Sequence, residues 1–214
     1  MKKLEKEYDK LQLKYGAEDA CSVYGHGCNI NPSLALVFMN PTKKNIATDP
    51  NWKGIRAQWL GTKPIWNFLE KCGLFSSKLN QEIKDKKPKE WTPSFCEKVY
   101  EEVANKKLWI TNLAKCTQDD ARPLKDEVFL AYKDLLKKEL KKINPKTIIF
   151  FGNQVSSIML EEEISVSNVR LKEYDLSIDD CDFKAYAVFY PVGNGRFNQP
   201  KAIQDIKIIL EKIK

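Results

Sequence analysis

Two asparagines stand at the ends of apolar runs, where their side chains are well placed to do chemistry. Asn40 closes the run LALVFMN and precedes Pro41, and Asn112 lies within LWITNLAKC. A carboxamide offers a donor and an acceptor, so it can match the edge of a nucleobase or another amide-like ligand. An unpaired amide among apolar residues costs ~1–3 kcal/mol. The simpler alternatives, a loop cap at Asn40 and bonds from Asn112 to nearby loop backbone, stay open.

The elements that must position these amides alternate between strands and helices. Helical patterns such as KDEVFLAYKDLLKKELKKI separate the apolar runs, which predicts an α/β fold. We expect one domain over residues 1–214, a three-layer α/β/α sandwich with a central, mostly parallel four-stranded sheet. The polar stretch near residues 76–93 is predicted to be an insertion. Ligands of such folds bind beyond the carboxyl ends of the strands. The four predicted strands lie in SLALVFMN, KLWITNLAKC, NPKTIIFFGN and FKAYAVFYP.

Two further segments carry aromatic residues near predicted strand ends. Trp59, in GIRAQWLGTKP, is either a stacking platform for a base or an ordinary core tryptophan. The loop YPVGNGRFNQP places Arg196 and Phe197 beside two glycines that allow sharp turns. Such a loop can press into a DNA groove, or it can be a plain surface loop.

Composition permits a nucleic-acid partner without demonstrating one. The formal net charge is +7, from 36 basic and 29 acidic residues, and many lysines lie in helices with solvated faces. No apolar run approaches the ~20 residues that span a bilayer, and the charged N-terminus lacks the apolar core of a signal peptide. We therefore expect a cytoplasmic, nucleoid-associated protein. The six cysteines form no C-x-x-C pair, which predicts free thiols and no metal site.

Four motifs in the same order resemble those of the uracil-DNA glycosylase superfamily, from about residue 15 to the C-terminus. VFMNPT is similar to the first active-site motif, G-x-N-P-G, of the mismatch-specific and single-strand-selective branches. WITNLAKC resembles the T-N-x-x-K-C motif of the iron–sulfur thermostable branch, whose P-F-V-G-R motif corresponds to QWLGTK. FYPVGNGRF takes the place of the H-P-S or H-P-A loop. The resemblance implies the fold and activity of this superfamily.

The resemblance also implies roles for individual residues. Asn40 would position the water that attacks the sugar, and Asn112 would read the Watson–Crick edge of a flipped base. Trp59 would stack on that base. The loop over 191–197 would enter the minor groove and fill the gap left behind. Tyr190 replaces the loop histidine of the family and would donate its hydroxyl to a base oxygen.

Departures from the family pattern change the expected cofactor and substrate. Met39 stands near the usual glycine of the first motif and would reshape a pocket that it shares with Trp59 and Tyr190. Cys116 matches one cluster ligand, but the N-terminal C-x-x-C is missing, so no iron–sulfur cluster is expected. Asparagine at the catalytic position accompanies broad or altered base preference in related branches. A modified base, for example in foreign DNA, is therefore one hypothesis for the substrate.

The sequence thus predicts a monofunctional DNA glycosylase that hydrolyses the N-glycosidic bond of a damaged, deaminated or modified base and leaves an abasic site. We expect a monomer without cofactor. The alternative is a catalytically silent DNA- or nucleotide-binding module of the same fold. A small-molecule α/β enzyme is less favoured because no glycine-rich phosphate loop follows the first strand. The residues expected to contact DNA are Lys43, Lys44, Lys63, Lys115, Arg196 and Phe197.

Overall fold

The computed structural model describes residues 1–213, in which helices and strands alternate along most of the chain. Within this range no helix has the combined length and apolarity that crossing a bilayer requires. Short 3₁₀ helices lie at Ile46–Thr48, Pro88–Glu90 and Gly193–Asn198. The strands are β1 (His26–Gly27), β2 (Leu34–Phe38), β3 (Leu108–Asn112), β4 (Thr147–Phe151), β5 (Glu173–Ile178) and β6 (Cys181–Val188). The α-helices are α1 (Lys2–Tyr15), α2 (Pro64–Lys71), α3 (Ser77–Asp85), α4 (Pro93–Asn105), α5 (Asp126–Ile143), α6 (Asn153–Leu160), α7 (Val166–Val169) and α8 (Gln199–Lys212).

The strands form one mixed sheet of six strands in the order β1-β3-β2-β4-β6-β5. The neighbours β3, β2, β4 and β6 pair in parallel, and the edge strands β1 and β5 pair antiparallel to β3 and β6. The predicted α/β class is confirmed. The predicted four-stranded sheet is not, because it omitted both edge strands.

Both faces of the sheet are covered, which explains the continuous apolar runs. Every residue of β2, β3 and β4 is buried. Along β2 the side chains alternate between two hydrophobic clusters, with Leu36 and Phe38 in one and Ala35 and Val37 in the other. The first cluster contains residues of α2, α3, α4 and α8, and the second contains residues of α1, α5 and α6. Strands buried on both faces lose the alternating pattern of half-exposed strands.

Strand β5 shows the opposite pattern and was missed. Its sequence EYDLSI alternates between exposed and buried side chains. A two-residue turn at Asp179 and Asp180 connects it to β6, and Asp179 adopts a left-handed φ of 53°. Aspartate tolerates this conformation better than most residues. The period-two alternation before the Asp-Asp pair was the available signal for a hairpin.

The segment near 76–93, predicted to be a polar insertion, is packed onto the core. It contains α3, whose side chains at Leu79 and Ile83 are buried. The Ser76 side chain caps this helix by accepting a hydrogen bond from the amide of Leu79. Trp91, just beyond the 3₁₀ helix, is also buried. Two apolar residues four apart indicate a helical face even in a lysine-rich segment.

Lys115, expected at the DNA surface, lies instead in the core. Its Nζ is 3.0 Å from a carboxylate oxygen of Glu139, and both side chains are fully buried. Lys115 also donates to the hydroxyl of Thr111 and to the carbonyl of Asn112. The expectation that Lys115 contacts phosphate is wrong for this conformation, because the ammonium group has no access to the surface.

Glu139 gathers hydrogen bonds as well as the charge of Lys115. The Tyr8 hydroxyl and the Trp109 indole donate to its two carboxylate oxygens at 2.6 and 2.9 Å. Burial alone would raise the pKa of Glu139, but Lys115 and these donors hold that pKa below its ordinary value. The carboxylate therefore ties α1 and α5 to the strand that ends at Asn112.

We expect the substitution Glu139→Gln to destabilise the protein by about 3–5 kcal/mol, because it leaves a buried ammonium without its counter-charge. Urea unfolding measures the change. The matched control is Glu161→Gln, since Glu161 pairs with Lys133 and Lys137 at an exposed position. The control should cost less than about 1 kcal/mol. Equal losses in the two variants would contradict this account.

Candidate functional site

A cavity of about 430 Å³ opens at the edge of the sheet where the parallel strands end. Residues that follow β2 and β6 form two of its walls, and the segment around Trp59 forms a third. Its volume is in the range of small-molecule sites. The sequence-predicted residues that line it are Met39, Asn40, Lys44, Trp59 and Tyr190.

Asn40 lies two residues beyond β2, is half-buried and lines the cavity. Its Nδ2 donates to the carbonyl of Pro41 at 3.1 Å. Among residues 1–213 no hydrogen bond reaches its Oδ1. This oxygen is therefore free to accept a hydrogen bond from a water molecule or a ligand.

Trp59 has an unusual backbone conformation at the cavity wall, with a φ of +64°. A bulky residue in this region stores strain of ~1–3 kcal/mol. The surrounding loop holds it there, because the Trp59 carbonyl accepts hydrogen bonds from the Thr62 hydroxyl at 2.7 Å and the Trp66 indole at 3.3 Å. A strained aromatic residue that lines a cavity is a candidate for function, which favours the stacking platform over the plain core tryptophan.

Phe38 supports both aromatic walls of the cavity. It stacks on Phe151 with ring centroids 4.3 Å apart and an interplanar angle of 4°. Trp59 and Tyr190 meet its ring edge-on, at 5.2 and 6.1 Å. The last residues of β2 and β4 therefore fix the separation of the two aromatic side chains across the cavity.

Tyr190 presents a phenol to the cavity from the end of β6. Burial raises the pKa of its hydroxyl well above the ordinary value, so the group stays protonated and can donate a hydrogen bond. The loop after Tyr190 folds back closely against it. A Cβ atom at Gly195 would lie 2.1 Å from the carbonyl oxygen of Tyr190, which explains the need for glycine there.

Asn112 does not line the cavity. It is only 1% exposed, and its Nδ2 donates to Oε1 of Gln58 at 2.9 Å. Gln58 does line the cavity, and its Nε2 donates to the carbonyl of Val23 at 3.1 Å. The amide that meets the cavity here is thus Gln58, with Asn112 behind it. Sequence reasoning missed Gln58, although a glutamine just before Trp59 in an apolar segment was a signal.

Lys43 and Lys63 do not line this cavity, and both bond to other groups of the protein. Lys43 forms ion pairs with Asp19 and Asp119, and it faces a neighbouring cavity. Lys63 donates to the backbone carbonyl of Lys84. In both side chains part of the ammonium charge or donor capacity is thus taken up by groups of the protein itself.

Two basic residues, one of them paired with a carboxylate, lie in the lining of the cavity. Lys44 lies there, and the structure adds Arg122, which sequence reasoning missed. Arg122 pairs with Asp120 at 2.9 Å in the loop after β3. Arg196 and Phe197 extend from the adjoining glycine-rich loop, where the Phe197 side chain is 80% exposed and the Arg196 guanidinium lies 5.0 Å from its ring. An exposed phenylalanine next to an arginine suits contact with a partner that offers both charge and apolar surface.

The lining of this cavity includes no carboxylate, histidine or cysteine within the described part of the chain. Proton abstraction by a strong base is therefore not available from these side chains. They offer amides, hydroxyls, indole and phenol rings, and the cations of Lys44 and Arg122. Such a set can orient water, hold a planar ligand between aromatic rings and stabilise negative charge as it develops.

Residues 1–213 bring together no group of three or more histidine, cysteine, aspartate or glutamate side chains suited to hold a metal ion. All six cysteines, Cys116 among them, are free thiols. No protein-family model matches the chain. The function must therefore be inferred from the chemistry and placement of the cavity residues.

Proposed function

We propose that the protein is a monofunctional DNA glycosylase, which flips a base out of DNA and hydrolyses its N-glycosidic bond. One observation carries the proposal. A free carboxamide oxygen on Asn40 and two aromatic side chains, Trp59 and Tyr190, meet in one cavity beyond the ends of parallel strands. That cavity is large enough for a planar ring, and the exposed Lys44 in its lining offers a cation to a polyanionic substrate.

The reaction that suits these groups is dissociative. The bond between the sugar and the base breaks first, which leaves positive charge on the sugar and negative charge on the base. Oδ1 of Asn40 orients a water molecule whose oxygen bonds to the anomeric carbon. The proton that this water loses neutralises the departing base, so atoms and charge balance. An oriented water is sufficient here, because the oxocarbenium-like sugar is a strong electrophile.

The departing base needs fixed donors around it. The Tyr190 hydroxyl, kept protonated by burial, donates to a base oxygen. Gln58 lines the cavity but is only 1% exposed, and its bonds to Val23 and Asn112 hold the wall in place beside the base. Donors that are already in place lower the barrier, because they need not reorganise as charge develops.

The side chains that line the first cavity restrict which base can bind there. Trp59 provides the ring surface, while Met39 narrows the side near Asn40. Together with the tyrosine in place of the loop histidine, they favour a uracil-like or modified pyrimidine. The three-layer arrangement that the superfamily resemblance implies is compatible with helices on both faces of the sheet. We further propose that the protein works as a monomer on DNA in the cytoplasm, for example on modified foreign DNA.

The duplex would approach the side where Lys44 and Arg196 are exposed. Their charges would meet phosphates on either side of the extruded nucleotide. Phe197, on the same loop as Arg196, would fill the space left in the stack. Apolar wedges of this kind hold a duplex open for flipping.

A catalytically silent binding module of the same fold is the second candidate. The observation that favours it is the lack of any strong acid or base among the cavity residues. Both candidates bind DNA or nucleotides, so base release separates them. The test is abasic-site formation on a panel of duplexes, each with a single uracil, thymine mismatch, hypoxanthine or modified pyrimidine.

Asn40→Ala should lower base release by about 100-fold, because the attacking water loses its orientation. DNA affinity should change by less than about twofold, since Asn40 meets the reacting atoms rather than phosphate. Single-turnover release and fluorescence anisotropy give the two values. The control is Asn168→Ala, an exposed asparagine on α7. Equal loss of affinity and release would instead assign Asn40 to binding.

The wild-type rate of base release should be nearly constant between about pH 5.5 and 8.5, because the cavity residues include none of the side-chain types that titrate there. The raised pKa of Tyr190 keeps its hydroxyl protonated over this range. Asn40→Asp should introduce an acidic limb, with activity lost as pH falls and the new carboxylate gains a proton. A wild-type rate that rises tenfold per pH unit would indicate attack by hydroxide and contradict the oriented-water mechanism.

Phe197→Ala should lower base release from duplex DNA by about tenfold while release from a single strand stays unchanged. The reason is that only a paired base must be unstacked and replaced in the helix. Single-turnover rates on the two substrates measure the ratio. Leu13→Ala is the matched control, because Leu13 is 88% exposed on α1. A similar decrease on both substrates would show that Phe197 is not a wedge.

A further inference from the structure

A second and larger cavity, of about 670 Å³, lies against the first and is not used by the proposed reaction. The two cavities share Asn45 as a lining residue. Lys43 lines the second cavity and Lys44 lines the first, so this short segment is the wall between them. The opposite side is formed by the 3₁₀ helix at Pro88–Glu90 and by Trp91. The packed 76–93 segment therefore contributes to a binding surface.

The dividing wall is rigid. Oδ1 of Asn45 accepts a hydrogen bond from the Ala47 amide, and its Nδ2 donates to the carbonyl of Ala57, both at 2.9 Å. The Arg56 guanidinium donates to the carbonyls of Ala47 and Asp49, which fixes the loop that continues from the wall. Two groups of a ligand, one in each cavity, would thus be held at a constant distance from each other.

Trp52 forms a preorganised aromatic surface in the second cavity. Its indole Nε1 donates to the carbonyl of Ile55 at 2.9 Å. Gly54 packs directly against the ring, because a Cβ atom there would lie 2.6 Å from Cζ2 of Trp52. Trp52 is only half-buried, so part of the ring remains accessible. A tryptophan held by a hydrogen bond and by close packing loses little entropy when a planar ligand stacks on it.

Trp91 adds a second aromatic side chain to the wall of the same cavity. It is 3% exposed and packs edge-on against Phe95 at 5.0 Å. Its Nε1 is buried and has no hydrogen-bond partner among the described residues. Because this nitrogen has no accessible surface, Trp91 meets the cavity with other atoms of the residue and not with its donor.

The second cavity is lined by two acidic and two basic residues, whereas the charged residues that line the first cavity are both basic. Asp19 pairs with Lys43, and Asp49 and Lys89 also contribute one charge each. The Asp49 carboxylate already accepts from the Asn51 amide at 2.8 Å. A neutral, planar ligand with acceptor atoms fits this lining better than a phosphate does.

We propose that the second cavity binds the unpaired base of a nucleotide directly adjacent to the extruded one on the same DNA strand. This inference rests on the proposed function for the occupant of the first cavity. The adjacent base stacks on Trp52 and packs against the wall that includes Trp91. The phosphate between the two nucleotides crosses the wall beside Lys44, which is exposed. The enzyme therefore holds two neighbouring bases at once and favours a locally single-stranded region.

The test uses the full chain and single-stranded 11-mers with a central uracil, in which either neighbouring nucleotide is replaced by an abasic spacer. Anisotropy measures affinity, and base release is followed in parallel. For the wild-type protein, the spacer on one side only should weaken binding by about tenfold, as expected for one lost stacking contact. Trp52→Ala should weaken binding to the intact strand by a similar factor and should no longer respond to that spacer.

Two further variants make the result specific. Lys53→Ala, an exposed neighbour in the same loop that does not line the cavity, should behave as wild type. Trp91→Phe keeps an aromatic ring in the wall and loses only an inaccessible nitrogen, so it should bind the intact strand within about twofold of the wild type and keep the response to the sensitive spacer.

Two outcomes overturn the second site: no measurable binding of the 11-mers, or a wild-type protein that does not distinguish the spacers. Base release with no dependence on the spacer would remove this site and leave the glycosylase proposal intact. If binding depends on the spacer but no substrate releases its base, the second site is supported and the glycosylase proposal is removed. The two proposals can therefore fail separately.

Discussion

The stack of Phe38 on Phe151 is the contact on which the geometry of the candidate site depends. These residues end two neighbouring parallel strands, and their rings stack nearly parallel with centroids 4.3 Å apart. Trp59 and Tyr190 each rest edge-on against Phe38, although they come from segments more than 120 residues apart in the chain. Because protein interiors are close-packed, a shift of Phe38 would move both cavity walls. The parallel pairing of these strands thus determines the distance between two walls of the cavity.

Much of the sheet could be predicted because burial on both faces leaves a clear pattern. The runs around Leu36 and Ile149 are apolar without interruption, as strands covered by helices on both faces must be. The carboxyl ends of the predicted strands, here those of β2 and β6, then indicated where Asn40 and Tyr190 would lie. Parallel pairing brings such ends to a single edge whatever their separation in sequence. The edge strands were harder, since β1 has only two residues and β5 is half-exposed.

The errors concern polar groups whose partners lie far along the chain. Lys115 was expected to contact DNA, but it is buried against its counter-charge on Glu139, which follows 24 positions later on α5. Asn112 was placed in the cavity because an amide in an apolar run must find a partner. It finds one in Gln58, at a sequence separation of 54 residues. Patterns within a window of residues show that a polar group needs a partner, but three-dimensional packing determines which one.

Some buried polar atoms have no hydrogen-bond partner among the described residues, and several of these lie close to the two cavities. Among the buried atoms without a hydrogen-bond partner are the indole nitrogens of Trp59 and Trp91 and Oδ1 of Asn112. Trp59 and Trp91 line the two cavities, and Asn112 bonds directly to a lining residue. Each such atom destabilises the folded chain unless water or a ligand supplies its partner. Other atoms of this kind, on Ser22, Asn80, Glu102, Tyr132 and Tyr174, lie away from both cavities, so the feature that distinguishes the first cavity is the strained backbone of Trp59 at its wall.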